Sequence, residues 1–411
     1  MSGDTSPANQ ETAREPVDVI DTREEYLAAV ETIAKGTGPI ALDAERASGY
    51  RYSQRAYLIQ LHREGAGTLL FDPPAVGRFD ELADVIRGEE WVLHAASQDL
   101  PSLREVGLDP TRIFDTELGA RLAGLPRVGL GAVLEELLGV KLAKAHSAAD
   151  WSTRPLPQPW LVYAALDVDL LIELRDAVAS LLDEQGKSDL AAQEFAAVLE
   201  KQPKPESADP WRRLSGLHSL KTPRGFAVAR SLWFARDEYA REVDTSPGRL
   251  LPDASIVAAA QALPASKNDL AALKPFVGRA SRTQLARWWR AVEEGTTTED
   301  LPPLRVSDGS LPPPRAWADR NPEADRRLRL ARAALTDLAA ELAIPLENLL
   351  TPEILRRLAW SPPESIDVAS VSDVLSEAGA RAWQVDATAQ LIVAAFVEAA
   401  QTPAESEPPA S

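Results

Sequence analysis

Gly38-Pro39-Ile40-Ala41-Leu42-Asp43-Ala44-Glu45 decides the reading of this 411-residue chain. An apolar run of strand character ends on two carboxylates two positions apart. On a strand, side chains two apart leave by the same face. The end of a strand is also where an open α/β sheet delivers its functional groups. Three further positions belong with this pair. Asp99 closes Trp91-Val-Leu-His-Ala-Ala-Ser-Gln-Asp, a short loop beyond another apolar run. Tyr163 and Asp167 lie four apart in Tyr-Ala-Ala-Leu-Asp, on one face of a predicted helix. Taken singly, each has an ordinary structural explanation. Asp43 and Glu45 fit a solvated strand face, and Asp99 fits a helix N-cap. Tyr163 fits a packing edge, and Asp167 a solvated acid. Asp169 is the rival acid nearby, but it lacks a tyrosine four residues before it. His94 reads as a core histidine rather than a ligand.

Carboxylates without cationic neighbours are costly to gather unless a metal neutralises them. Their order here is strand pair, strand-end acid, then helical Tyr-x-x-x-Asp. That is the pattern of a two-metal phosphodiester hydrolase. Cysteine is absent and Met1 is the only methionine, so a metal would be held by oxygen or imidazole. The composition contains no disulfide framework, the first 18 residues have no signal-peptide core, and no apolar run reaches the ~20 residues of a membrane span. The cytoplasm is the expected location. The net charge of −18 argues against a nucleic-acid partner, but it is unevenly distributed. Asp209 to Gly295 holds 14 Lys/Arg against 9 Asp/Glu, a net of +5 that leaves −23 on the rest. A basic module inside an acidic chain is a place for phosphates.

The pattern predicts strands at Ile40-Ala-Leu, Tyr57-Leu-Ile-Gln-Leu, Gly67-Thr-Leu-Leu-Phe, Trp91-Val-Leu-His and Ile113-Phe-Asp, the first three as a meander. Helices are expected at Phe79 to Ile86 and at Asp99 to Val106, with one long helical stretch over Pro157 to Leu182. The fold class is α/β: a mixed sheet followed by two all-α modules. The expected boundaries are a disordered arm over 1–17, the α/β domain over 18–186 and a connecting helix and linker over 187–206. A basic helical module follows over 207–296, a Pro-rich linker over 297–319, a second helical module over 320–401 and a disordered tail over 402–411.

At these motifs the chain resembles the DEDD superfamily of 3′→5′ exonucleases, tyrosine subclass, and within it the ribonuclease D group, whose catalytic fold is ribonuclease-H-like. Tyr57-Leu-Ile-Gln-Leu-His is similar to the family's second strand, and His94-Ala-Ala-Ser-Gln-Asp-Leu to its second motif. Phe114-Asp-Thr-Glu, Gly129-Leu-Gly and Asp150-Trp-Ser-Thr-Arg-Pro-Leu are similar to the stretch leading into the third. The first motif departs from the usual Asp-Thr-Glu-Phe: Ala44 lacks the hydroxyl and Arg46 replaces the aromatic. The acids are intact, and the departure bears on how the 3′-terminal base is held. Trp211-Arg-Arg-Leu-Ser-Gly, Leu232 to Arg241, Asp253, Ile256, Ala258 and Leu263-Pro resemble an HRDC domain, a helical nucleic-acid-binding module. Residues 320–400 fall where the family carries a second, diverged module of that kind.

The resemblance implies that Asp43, Glu45, Asp99 and Asp167 hold two Mg²⁺ or Mn²⁺ ions roughly 3.5–4 Å apart, with Asp43 bridging them. It implies that Tyr163 orients the attacking water, since a phenol of pKa ~10 is a poor base at neutral pH. The implied partner is RNA with a single-stranded 3′ end, tRNA-like, released as nucleoside 5′-monophosphates. Arg224, Lys267 and Lys274 of the basic module are the candidate phosphate contacts. A DNA exonuclease and a non-catalytic nucleic-acid-binding protein with a decayed nuclease domain are the alternatives. The HRDC resemblance and the Asp150 stretch favour RNA, and the five intact positions favour an enzyme.

Overall fold

The computed structural model of the protein describes residues 18–142, 149–202, 207–276, 278–305 and 311–401. The terminal segments 1–17 and 402–411, read as disordered, lie outside the described residues, as do parts of both linkers. The chain divides into two units. One runs as far as Arg46 and resumes over Arg55–Leu199. The other comprises Ala47–Gln54 and the chain from Glu200 onward.

The first unit starts with β1 (Val19–Ile20), α1 (Arg23–Lys35), β2 (Thr37–Arg46), β3 (Ala56–Glu64) and β4 (Gly67–Phe71). Next come α2 (Pro73–Val76), α3 (Asp80–Ile86), β5 (Trp91–Leu93), α4 (Leu100–Glu105), β6 (Ile113–Asp115) and α5 (Thr116–Leu122). It closes with α6 (Leu130–Leu138), α7 (Gln158–Asp169), α8 (Leu171–Glu184) and α9 (Ser188–Glu200). The six strands form one mixed sheet in the order β1-β4-β3-β2-β5-β6. The meander β2-β3-β4 is antiparallel, while β5 and β6 run parallel to β2 and β1 runs parallel to β4. β2 therefore lies inside the sheet, flanked by β3 and β5. The sequence pattern missed β1, because a two-residue strand leaves no alternation to read.

Two helical expectations are refined. The stretch from Pro157 to Leu182 is not one helix: α7 and α8 meet at Leu170, where φ is −106° and ψ 8°. Asp169, at the end of α7, accepts from the Thr68 hydroxyl and lies 3.9 Å from His62. α9 reads as a polar connector, yet it buries Ala191 and Phe195 four residues apart, and Phe195 meets Phe114 with ring centroids 4.8 Å apart. Such a narrow stripe is hidden when polarity is averaged along a helix. Arg154 is a structural knot: its guanidinium grips Asp72 and donates to the carbonyls of Trp151, Thr153 and Tyr57. The Asp150-Trp-Ser-Thr-Arg-Pro stretch is thus engaged by the fold through its arginine.

The second unit is helical. α10 (Pro223–Glu242), α11 (Pro247–Leu250), α12 (Asp253–Ala262), α13 (Lys267–Ala272), α14 (Arg279–Thr283) and α15 (Leu285–Thr297) surround a core built on Trp211, Phe226, Ile256 and Trp288. α16 (Trp317–Arg320), α17 (Pro322–Glu341), α18 (Leu346–Leu349), α19 (Pro352–Trp360), α20 (Val368–Glu377) and α21 (Ala382–Gln401) surround a second core that includes Trp317, Leu335, Leu358 and Ile392. Residues 47–54 belong here: Tyr52 donates to Asp237, the Ser53 amide to Asp244, and Arg249 to the Gly49 carbonyl. Among the described residues no helix is long and apolar enough to cross a membrane.

α10 and α15 touch backbone to backbone at Gly295. A Cβ there would lie 2.5 Å from the Val228 Cα. A side chain can enter only if the helices separate, and overpacking of that kind costs about 1–3 kcal/mol. Gly295→Ala should therefore lower the thermal midpoint of the helical unit measured by circular dichroism. An unchanged midpoint would show that this contact is loose.

Candidate active site

The site is built on β2. Its register with β3 sets Asp43 opposite Gln60 and Glu45 opposite Leu58. Alternation puts both acids on one face, while Ala44, 6% exposed, turns to the other. The missing hydroxyl in the first motif therefore lies away from the acids. Gln60 is fully buried and donates from Nε2 to Asp43 Oδ2 at 3.2 Å. α7 packs over β2, β3 and β4 and lowers Asp167 onto the same face. Asp43, Glu45 and Asp167 each offer a carboxylate oxygen within 4.8 Å of the others. Tyr163, one turn earlier on α7, hydrogen-bonds Asp167.

Asp99 enters at the start of α4 and is 6% exposed. It stands in the N-cap position, yet its side chain makes no capping hydrogen bond. The ordinary explanation for an acid at that place is thereby removed. Asp99 is not in the tight group of three, but it is coupled to it: burial and then Asp43 raise Asp99 well above the ordinary carboxylate range, and Asp99 adds to the rise of Glu45.

The electrostatics are those of carboxyl groups short of countercharge, each drawn toward its protonated form. Among the described residues none of the four acids forms an ion pair, and Arg46 is the cation whose field reaches Asp43, Glu45 and Asp99. Burial raises Asp43 above the ordinary carboxylate range. Burial, then Asp43, Asp167 and Asp99, push Glu45 up to about 10. Burial and then Asp43 push Asp167 up to about 8, against the hydrogen bond from Tyr163. Burial and the neighbouring Asp167 and Glu45 hold the Tyr163 phenol above its usual value, so it stays protonated. An all-oxygen donor set in this state fits a hard divalent cation, which would replace the missing countercharge.

The other sequence candidates fall elsewhere. Asp169 is engaged with Thr68 and His62, so it is not part of the acidic group. His94 pairs with the Thr116 hydroxyl at 2.9 Å, and burial lowers it to about 4, leaving it neutral. Arg224 is taken up by the fold, donating to the carbonyls of Gly295 and Thr298. Its guanidinium ties α10 to the end of α15 through Nη1. Lys267 and Lys274 are exposed. Gln60 and Asp115 are the functional candidates that residue chemistry alone did not single out. A polar residue inside an apolar strand run was the available signal for Gln60, and an acid ending a strand the signal for Asp115.

Three families match successive parts of the chain. One described as 3′-5′ exonuclease matches residues 17–183, the HRDC domain matches 225–292, and a 3′ to 5′ exonuclease C-terminal domain matches 310–396. The chain is 30% identical over 287 residues to a ribonuclease D of Pseudomonas paraeruginosa, covering 65% of this chain and 75% of that one. It is 29% identical over 278 residues to a ribonuclease D of Gluconacetobacter diazotrophicus, covering 66% of this chain and 67% of that one. A crystal structure of a protein from Bifidobacterium adolescentis is similar with a TM-score of 0.86 at 36% identity, over 93% of this chain and 100% of that one. The Escherichia coli RNase D structure shares the fold with a TM-score of 0.67 at 24% identity, over 93% of this chain and 99% of that one.

A carboxylate whose folded pKa is raised binds more protons folded than unfolded, so its cluster loses stability as pH rises between the two values. For this site the window opens near the ordinary carboxylate range and extends through about 8 for Asp167 and about 10 for Glu45. A divalent cation competes with those protons. Millimolar Mn²⁺ should raise the thermal midpoint of the metal-free protein more at about pH 8.5 than at about pH 6. Differential scanning calorimetry reads this directly, and an equal or opposite difference would contradict the cation site.

Proposed function

The chain belongs to the ribonuclease D family of 3′→5′ exoribonucleases, and we propose that Asp43, Glu45, Asp99 and Asp167 hold its divalent metal while Tyr163 orients the attacking water. The observation that carries this reading is the half-buried group of three carboxylates within 4.8 Å, with no ion pair among the described residues. Asp99 supports it as an N-cap acid that caps nothing. Two Mg²⁺ or Mn²⁺ ions held by these acids would lower the pKa of a bound water and stabilise the charge of a departing 3′-oxygen.

The protein's own groups do the rest. Asp43, whose charge acts on Glu45, Asp99 and Asp167, would hold the cation together with them. Gln60 fixes the rotamer of Asp43 through Oδ2. Tyr163, protonated and bonded to Asp167, donates or accepts a hydrogen bond but does not take the proton from water. The substrate is the single-stranded 3′ end of a structured, tRNA-like RNA, shortened by one nucleoside 5′-monophosphate at a time.

The basic module supplies backbone contacts. Several of its arginines are already engaged: Arg212 with Asp209, Arg230 with Asp300, Arg236 with Asp253 and Arg287 with Glu242. Lys267 and Lys274 are exposed without an ion pair among the described residues, and they are the proposed phosphate contacts. The charge surplus of the segment therefore overstates what is free to meet RNA.

The deciding experiment is release of mononucleotides from a tRNA with a 3′ extension, with and without Mg²⁺, beside single-stranded DNA. RNA shortening that requires the cation is expected; no release, or release from DNA alone, would overturn the reading. Asp43→Asn should lower the rate on the order of 10³-fold with RNA binding retained. Tyr163→Phe should lower kcat roughly tenfold to hundredfold with cation affinity unchanged, and a sharp fall in affinity would make Tyr163 structural. Lys267→Glu with Lys274→Glu should make the slope of log K against log salt shallower by roughly 1.4, as two lost phosphate contacts imply. An unchanged slope would remove both lysines from the interface.

A further inference from the structure

We propose that Asp115 is the positioning residue for Asp99, acting through the loop that joins β5 to α4; the inference rests on the metal-binding role given to Asp99 above. Asp115 ends β6, paired with Leu93 at the end of β5, and is 3% exposed. Its carboxylate accepts four backbone N–H groups. Oδ1 takes those of Ala95, Glu117 and Leu118 at 3.0, 3.0 and 3.1 Å, and Oδ2 takes that of Ala96 at 2.8 Å. Two of these bonds cap α5. The other two hold a loop that has no regular ladder of its own.

That loop is shaped unusually. Ala95 has φ +65°, in the left-handed region that a residue with a Cβ rarely adopts. Ala95 stays there because its N–H and that of Ala96 are both fixed on one carboxylate. The constraint passes on through Ala96, whose carbonyl accepts from Asp99 at 3.1 Å and from Leu100 at 3.0 Å. Asp99 makes no side-chain cap of its own, so the backbone chain from Asp115 through Ala96 sets where its carboxylate stands. A carboxylate satisfied on both oxygens is the acceptor able to bind N–H groups on opposite sides at once. An amide cannot: whichever way it turns, an N–H donor faces an N–H donor.

The test measures Mn²⁺ binding by calorimetry on the full chain, with exonuclease kinetics beside it. Asp115→Asn should raise the Mn²⁺ dissociation constant roughly 10- to 100-fold, the scale of lost supporting contacts at metal ligands. KM for RNA should stay within about twofold, and excess Mn²⁺ should recover part of the rate. Tyr26→Phe is the control: it removes the acceptor of the Leu82 N–H, which joins α1 to α3, and should lower stability without changing Mn²⁺ affinity. If Asp115→Asn does not fold, Asp115→Ser keeps an N-capping acceptor for α5 but cannot reach Ala95 and Ala96, and the same weakening is expected. Wild-type affinity in a folded Asp115 variant, while Asp99→Asn weakens binding, would overturn this inference and leave the metal reading standing. An equal weakening in Tyr26→Phe would reduce Asp115 to a structural residue. A wild-type protein that binds no Mn²⁺ would remove the metal reading, and this inference with it.

Discussion

Mutual repulsion among carboxylates packed on one face of the sheet is the constraint on which the rest of the first unit depends. Asp43, Glu45 and Asp167 stand within 4.8 Å of one another, partly buried, and burial and proximity together raise their pKa values. Such a group is unfavourable in the metal-free state, so the surrounding fold must hold it by other means. The sheet supplies the means. β2 lies inside it with partners on both edges, and its long ladder with β3 fixes the direction of Asp43 and Glu45. The buried Gln60 amide holds Asp43, and the packing of α7 sets the third acid, Asp167, against the pair. Strain of this kind is a common property of catalytic sites, because a group held in an unfavourable charge state is ready for the cation that relieves it.

A second layer of contacts orders the acidic group. Asp115 and Gln60 are polar, 3% and 0% exposed, and neither belongs to the acidic group. Each has a hydrogen bond that ends on an acid of the site or on the backbone that carries one. Thr68 and His62 do the reverse for Asp169, drawing it away from the cluster. The division of labour between Asp167 and Asp169, two residues apart on one helix end, follows from which neighbours each meets.

The second unit shows how charge counts mislead. The segment from Asp209 to Gly295 carries a surplus of +5, but much of its arginine is committed to internal ion pairs and carbonyls. Arg224 reads as a free cation in the sequence and proves to be a tether between helices. Only cations that project without a partner remain for a phosphate backbone, and their number, rather than net charge, sets the salt dependence of binding.

The sequence by itself determined the α/β class, five of the six strands and the acids that the fold then gathers, Asp43, Glu45 and Asp167, because alternation, turn residues and acid spacing are local properties. It also carried the similarity to the exonuclease and HRDC families, since short runs around each acid keep their order along the chain. What it left open were matters of partnership. Whether Asp99 caps a helix or faces the other acids depends on the loop that Asp115 shapes from another strand. Pro157 to Leu182 reads as one periodic stretch, and the break at Leu170, with φ −106° and ψ 8°, appears only in the folded chain. Arg224 and Arg154 became structural because carbonyls and a carboxylate distant in sequence came within hydrogen-bond reach. Tertiary structure decided these because a hydrogen bond acts over about 3 Å in space, and sequence separation does not encode that distance.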